Sequence, residues 1–122
     1  MDAKKKILIA EDEKPLAEAL STKLSNAGYE VDVAGDGSVA CERMNNGAYD
    51  MAIVDLVMPE KDGFAVLEEM KEKGITTPII VVSNLAQEVD KERALALGAE
   101  AYFVKSNTPL SQLVEEVKKR VS

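Results

Sequence analysis

Five short runs of apolar residues recur along the chain, and a segment with helical spacing follows each one. Lys6 to Ala10 (KILIA), Met51 to Val54 (MAIV), Pro78 to Val82 (PIIVV) and Ala101 to Val104 (AYFV) are apolar with little alternation. That suits strands covered on both faces. Tyr29 to Ala34 (YEVDVA) alternates, with Tyr29, Val31 and Val33 against Glu30 and Asp32. This predicts an edge strand with one wet face. After the first strand, Pro15 opens a helix whose apolar face is Leu16, Leu20 and Leu24, and Gly28 stops it. Gly35 and Gly37 break the second strand, and Val39, Ala40, Arg43 and Met44 mark a short helix ending at Asn45, Asn46 and Gly47. The loop DLVMPEKDG leads into the helix FAVLEEMKEKG, with Leu67 and Met70 on one face. Gln87 to Leu97 is a helix closed by Gly98. Thr108 is expected to cap the last helix, with Pro109 at its first position and Leu110, Leu113, Val114 and Val117 as its stripe.

Five such units with short connections predict one α/β domain over residues 1–122. Its expected core is a five-stranded parallel sheet, order 2-1-3-4-5, with helices on both faces. Ligands bind such sheets beyond the carboxyl ends of the strands, where the strand order reverses. Composition narrows the chemistry. The 15 basic and 22 acidic residues give a net charge of −7, so the domain lacks the basic stripe that direct nucleic-acid binding needs. There is no histidine, which excludes Ser-His-Asp and Cys-His catalysis and most zinc sites. The lone Cys41 forms no intrachain disulfide. No apolar run approaches the ~20 residues of a membrane helix, and the run from Ile7 to Ala10 is too short for a signal peptide. A cytoplasmic location is the expectation.

The residues just beyond the strands are Glu11 and Asp12, Asp55, Ser83 and Lys105. Each alone reads as a solvated loop acid, a turn aspartate, a capping hydroxyl or an exposed lysine. The fold, however, brings all five to one rim. Two carboxylates ~4 Å apart repel by ~1 kcal/mol in bulk water and ~4 kcal/mol at a near-surface dielectric. A divalent cation resolves that conflict, and hard oxygen ligands without histidine favour magnesium. A carboxylate can also attack phosphorus to give an aspartyl phosphate, and phosphoryl transfer needs little beyond positioning and charge neutralisation.

With KILIAEDE, VDLVMPEKDG, PIIVVSN and AYFVKSN in this order and spacing, the whole chain resembles the receiver domain of bacterial two-component response regulators, a flavodoxin-like fold. The resemblance implies that Asp55 accepts the phosphoryl group. It also implies that Asp12 binds Mg2+ directly, that Glu11 assists through water, and that the backbone carbonyl of Val57 is a further ligand. Ser83 and Lys105 would contact the phosphoryl group, and Tyr102 would be the aromatic switch that turns inward as Ser83 moves. Asp62 and Gly63 would shape the loop. The implied partners are a sensor histidine kinase or histidine phosphotransfer protein, and a downstream effector protein or an output domain. The reading surface would be the fourth helix, fifth strand and fifth helix, through which a dimer is also allowed. Such a domain catalyses its own phosphotransfer and dephosphorylation but acts in signalling rather than as an enzyme.

Three positions depart from the family pattern: the acidic pair is Glu-Asp, Asn84 replaces a common alanine, and Ser106 replaces a proline that often follows the lysine in a cis peptide. Val57 and Leu85 carry no group able to orient an attacking water, which predicts slow self-hydrolysis. Three other classes share features with the chain. A haloacid-dehalogenase-type phosphatase needs an aspartate where Val57 stands. A flavin carrier needs a phosphate-cradling loop where Glu11 and Asp12 stand. A binding-only pseudo-receiver would be expected to lack some of the acids or the lysine.

Overall fold

The computed structural model describes residues 4–121. Strands β1 (Lys6–Ala10), β2 (Glu30–Ala34), β3 (Met51–Val54), β4 (Ile79–Ser83) and β5 (Ala101–Val104) alternate with helices α1 (Lys14–Asn26), α2 (Gly37–Asn46), α3 (Gly63–Glu72), α4 (Glu88–Ala96) and α5 (Leu110–Arg120). All strand pairs are parallel, and the order is β2-β1-β3-β4-β5. The expected architecture is therefore the observed one.

The continuous apolar runs have a simple cause. Each central strand sends alternate residues into two separate cores. Leu8, Ala10, Ala52, Val54, Ile79 and Val81 pack with α2, α3 and α4, through residues such as Met44, Leu67 and Ala94. Ile7, Ile9, Met51, Ile53, Ile80 and Val82 pack with α1 and α5, through Leu20, Leu24, Leu113 and Val117. Burial on both faces removes the polar positions that would otherwise reveal a period of two.

Three local expectations need correction. On β2, Val33 is 38% exposed, whereas Asp32 is half-buried and accepts a hydrogen bond from the Tyr49 hydroxyl at 2.6 Å. A partner for the carboxylate outweighs the simple alternation. Gly37 ends no strand: Asp36 accepts from the Val39 N–H at 2.8 Å and caps α2, whose first residue is Gly37. Thr108 does not cap α5. The 3-10 turn Lys105–Asn107 intervenes, the Thr108 hydroxyl donates to the Val104 carbonyl at 2.8 Å, and Pro109 itself takes the capping position. Among the described residues every peptide bond is trans, that between Lys105 and Ser106 included.

Candidate functional site

The rim forms because two ladders run one residue beyond their strands. The Glu11 N–H donates to the Ala34 carbonyl at 3.0 Å, and the Asp55 N–H donates to the Ala10 carbonyl at 2.9 Å. These bonds hold Glu11 and Asp55 side by side at the tips of β1 and β3. Oxygens of Glu11, Asp12 and Asp55 all lie within 4.8 Å of one another. Glu11 and Asp55 are buried, at 6% and 5% exposure, while Asp12 is exposed. Lys105 arrives from the end of β5. Its Nζ sits 2.7 Å from Glu11 Oε1, 2.8 Å from Glu13 Oε2 and 3.1 Å from Asp55 Oδ2.

The loop after β3 is shaped by its own backbone. The Val57 N–H reaches back to Asp55 Oδ1 at 3.4 Å, and Val57 is exposed. The Lys61 N–H donates to the Pro59 carbonyl at 2.8 Å across Glu60, whose φ of 67° is in the left-handed region. Asp62 then caps α3 by accepting from the Ala65 N–H at 2.9 Å. Gly63 donates to the Leu56 carbonyl at 2.9 Å, and a Cβ there would overlap the Asp55 carbonyl. Asp62 and Gly63 thus shape the loop, as the sequence suggests.

Ser83, the last residue of β4, is fully buried, and its Oγ accepts from the Leu85 N–H at 3.2 Å. Tyr102 on β5 is half-buried and donates its hydroxyl to the Leu85 carbonyl. Ser83 and Tyr102 therefore share one loop residue as a partner.

Charge at the rim is uneven. Burial pushes the Glu11 carboxyl up to about 7; Asp55 adds to the rise, while Lys105 and the Glu13 N–H oppose it. Burial pulls Lys105 down, but its hydrogen bonds to Glu11, Glu13 and Asp55 outweigh burial and hold its pKa above the usual lysine value. The two directions are compatible because Lys105 has three carboxylate partners, whereas Glu11 shares its one ammonium with two other acids. With Asp12 added to the three carboxylates that Lys105 contacts, the site holds four acids to one ammonium, a negative excess that suits a divalent cation. The ammonium, in contact with both Glu11 and Asp55, already shows that a cation fits between them. An all-oxygen donor set without histidine fits magnesium in kind.

The glutamate at 13 was not among the residues singled out from sequence. The run Glu11-Asp12-Glu13 offered three neighbouring acids, and nothing in their spacing tells which reaches Lys105.

Residues 7–118 match the model of the response regulator receiver domain family. The chain belongs to that family. It is 40% identical over 100 residues to the transcriptional regulatory protein DltR of Streptococcus agalactiae, covering 82% of this chain and 45% of that protein. It is 36% identical over 116 residues to CiaR of Streptococcus pneumoniae, covering 95% and 49%. The receiver domain thus spans about half the length of these relatives. Among solved structures, the receiver domain of the Francisella response regulator 1452 superposes with a TM-score of 0.89 at 31% identity, covering 94% of both chains. The response regulator TrrA of Thermotoga maritima, solved in complex with Mg(2+)-BeF, gives 0.84 at 33% identity, covering 96% of this chain and 99% of that one. This chain is a receiver domain of two-component signalling. Among the described residues, no helix is long and apolar enough to cross a membrane.

Proposed function

We propose that this receiver domain takes a phosphoryl group onto Asp55 from a phosphohistidine of a sensor histidine kinase or a histidine phosphotransfer protein. What carries the reading is the environment of Asp55. It is buried at a strand tip, with Oδ2 3.1 Å from the Lys105 ammonium and Oδ1 held by the Val57 N–H, beside two further carboxylates. A carboxylate oxygen attacks phosphorus. The new O–P bond forms as the P–N bond to the donor imidazole breaks, and the imidazole nitrogen keeps that electron pair and takes a proton from solvent.

Magnesium would be held by Glu11, Asp12, Asp55 and the carbonyl of Val57. When bound, it supplies the positive charge that offsets the phosphoryl oxygens. Lys105 pairs with one phosphoryl oxygen, and the Ser83 hydroxyl donates to another. As Ser83 turns towards the phosphoryl group, its bond to Leu85 is disturbed, and with it the loop that holds Tyr102. Tyr102 then turns inward. This biases the face made by α4, β5 and α5, where Val89 and Leu95 are exposed, towards the form that an effector or a second copy reads.

A cytoplasmic setting, where kinases present phosphohistidine, belongs to the same reading. Asp55→Asn should abolish labelling by acetyl phosphate in the presence of Mg2+, read by intact-protein mass. Undiminished labelling of that variant would overturn the assignment.

A further inference from the structure

We propose that Glu13 is a positioning residue that holds Lys105 away from the incoming phosphoryl group and must release it before the group can be paired. The proposal rests on the reading of Asp55 and Lys105 above and concerns how that site is kept at rest.

An ammonium has three N–H donors and no more. Lys105 has three carboxylate partners: Glu11 at 2.7 Å, Glu13 at 2.8 Å and Asp55 at 3.1 Å. Its side chain is 11% exposed, so little water is at hand to take over a vacated bond. A phosphoryl oxygen can gain the lysine only by displacing one of these carboxylates.

The three differ in how readily they let go. Glu11 is buried, and its second oxygen already accepts from the Glu13 N–H at 3.1 Å. Leaving Lys105 would strand a buried carboxylate. Asp55 is buried and is the acceptor itself. The Glu13 side chain is 58% exposed, lies outside the cluster of three acids placed to hold a metal, and caps no backbone N–H at the start of α1. Once released, it is solvated by water at little cost. Its backbone is pinned beside Glu11, so the side chain stays within reach to take the lysine back when the phosphoryl group leaves.

The geometry thus sets up a competition between an exposed carboxylate and a phosphoryl oxygen for one donor. Removing the charge at position 13 should favour the phosphoryl side by what an exposed ion pair is worth, about two- to fivefold. Glu18, also exposed and on α1, lines a groove with Glu11 and Asp12 but makes no ion pair with Lys105. It serves as the matched charge control.

The test uses the full chain with saturating Mg2+ at low ionic strength. The initial rate of Asp55 labelling by acetyl phosphate and the dissociation constant for beryllofluoride are measured for wild type, Glu13→Gln and Glu18→Gln. Glu13→Gln should label two- to fivefold faster and bind beryllofluoride tighter by a similar factor, while Glu18→Gln matches wild type. The gain should shrink in 1 M salt, where exposed pairs are screened. A Glu13→Gln protein that behaves as wild type or worse, or an equal gain in Glu18→Gln, would overturn the role of Glu13 and leave the acceptor assignment standing. Labelling that survives in Asp55→Asn strikes the acceptor assignment instead, and this proposal falls with it.

Discussion

At the scale of the residue, the positions flanking the acid cluster set how long a phosphoryl group would last. Val57 is 59% exposed at the mouth of the site and Leu85 is half-buried behind Ser83. Neither side chain has a donor or acceptor to orient water for attack on phosphorus. Slow self-hydrolysis is the expectation. Val57→Asn, which adds an amide at an exposed position with little packing to lose, should speed decay of the labelled form severalfold. An unchanged decay, followed by mass after removal of the donor, would count against this account. The residues that collect at the rim were legible because each stands at the end of a strand or within two residues beyond it. The part played by Glu13 was not legible. It depends on the Glu13 N–H bonding to Glu11 Oε2 and on the reach of one lysine from far along the chain, and neither leaves a period in the sequence.

At the scale of the element, α3 carries a charged junction on the side that faces α2. Glu69 accepts hydrogen bonds from Lys61, from Lys73 at 3.2 Å and from Asn45 at 3.3 Å. These join α2, the loop after β3 and α3. The bond from Lys61 is the main cause that holds the Glu69 carboxyl down at about 2, below its ordinary 4.5. A folded-state value below the unfolded one stabilises the protein above about 4.5, and that contribution is lost as pH falls towards 2. Glu69→Gln should therefore flatten the acid side of the stability curve. Chemical denaturation at pH 6 and pH 3 should show a larger drop for wild type than for the variant. Equal drops would mean that the junction contributes nothing. Element type and order were readable from apolar runs and from Gly28 and Gly98, both with positive φ at helix ends. The start of α5 was less readable, because Thr108 has two competing uses for its hydroxyl and the 3-10 turn before it has no pattern of its own.

At the scale of the whole molecule, the site exists only when the sheet is complete. Its side chains come from the ends of β1, β3, β4 and β5, and Lys105 meets a carboxylate at a sequence separation of 92 residues. A metal held there binds the folded chain and not the unfolded one. At tenfold its dissociation constant, Mg2+ should add about 1.4 kcal/mol of stability and raise the melting temperature by roughly 3–6 °C. Asp12→Asn should lose most of that rise. A melting temperature indifferent to millimolar Mg2+ would remove magnesium from the picture. The sheet order was legible at this scale because parallel strands with right-handed connections leave few arrangements. How the loops touch was not.

Gly37 is one such touch. A Cβ there would overlap the Lys61 carbonyl and Cβ, so the first turn of α2 and the loop after β3 abut main chain to main chain, with no side chain between them as a cushion. Pliable packing can absorb a displacement, but two backbones pressed together transmit it. Any tilt of α2 would therefore be handed straight to the segment that leads back to Asp55, which makes a helix with no acid in the site a mechanical part of it.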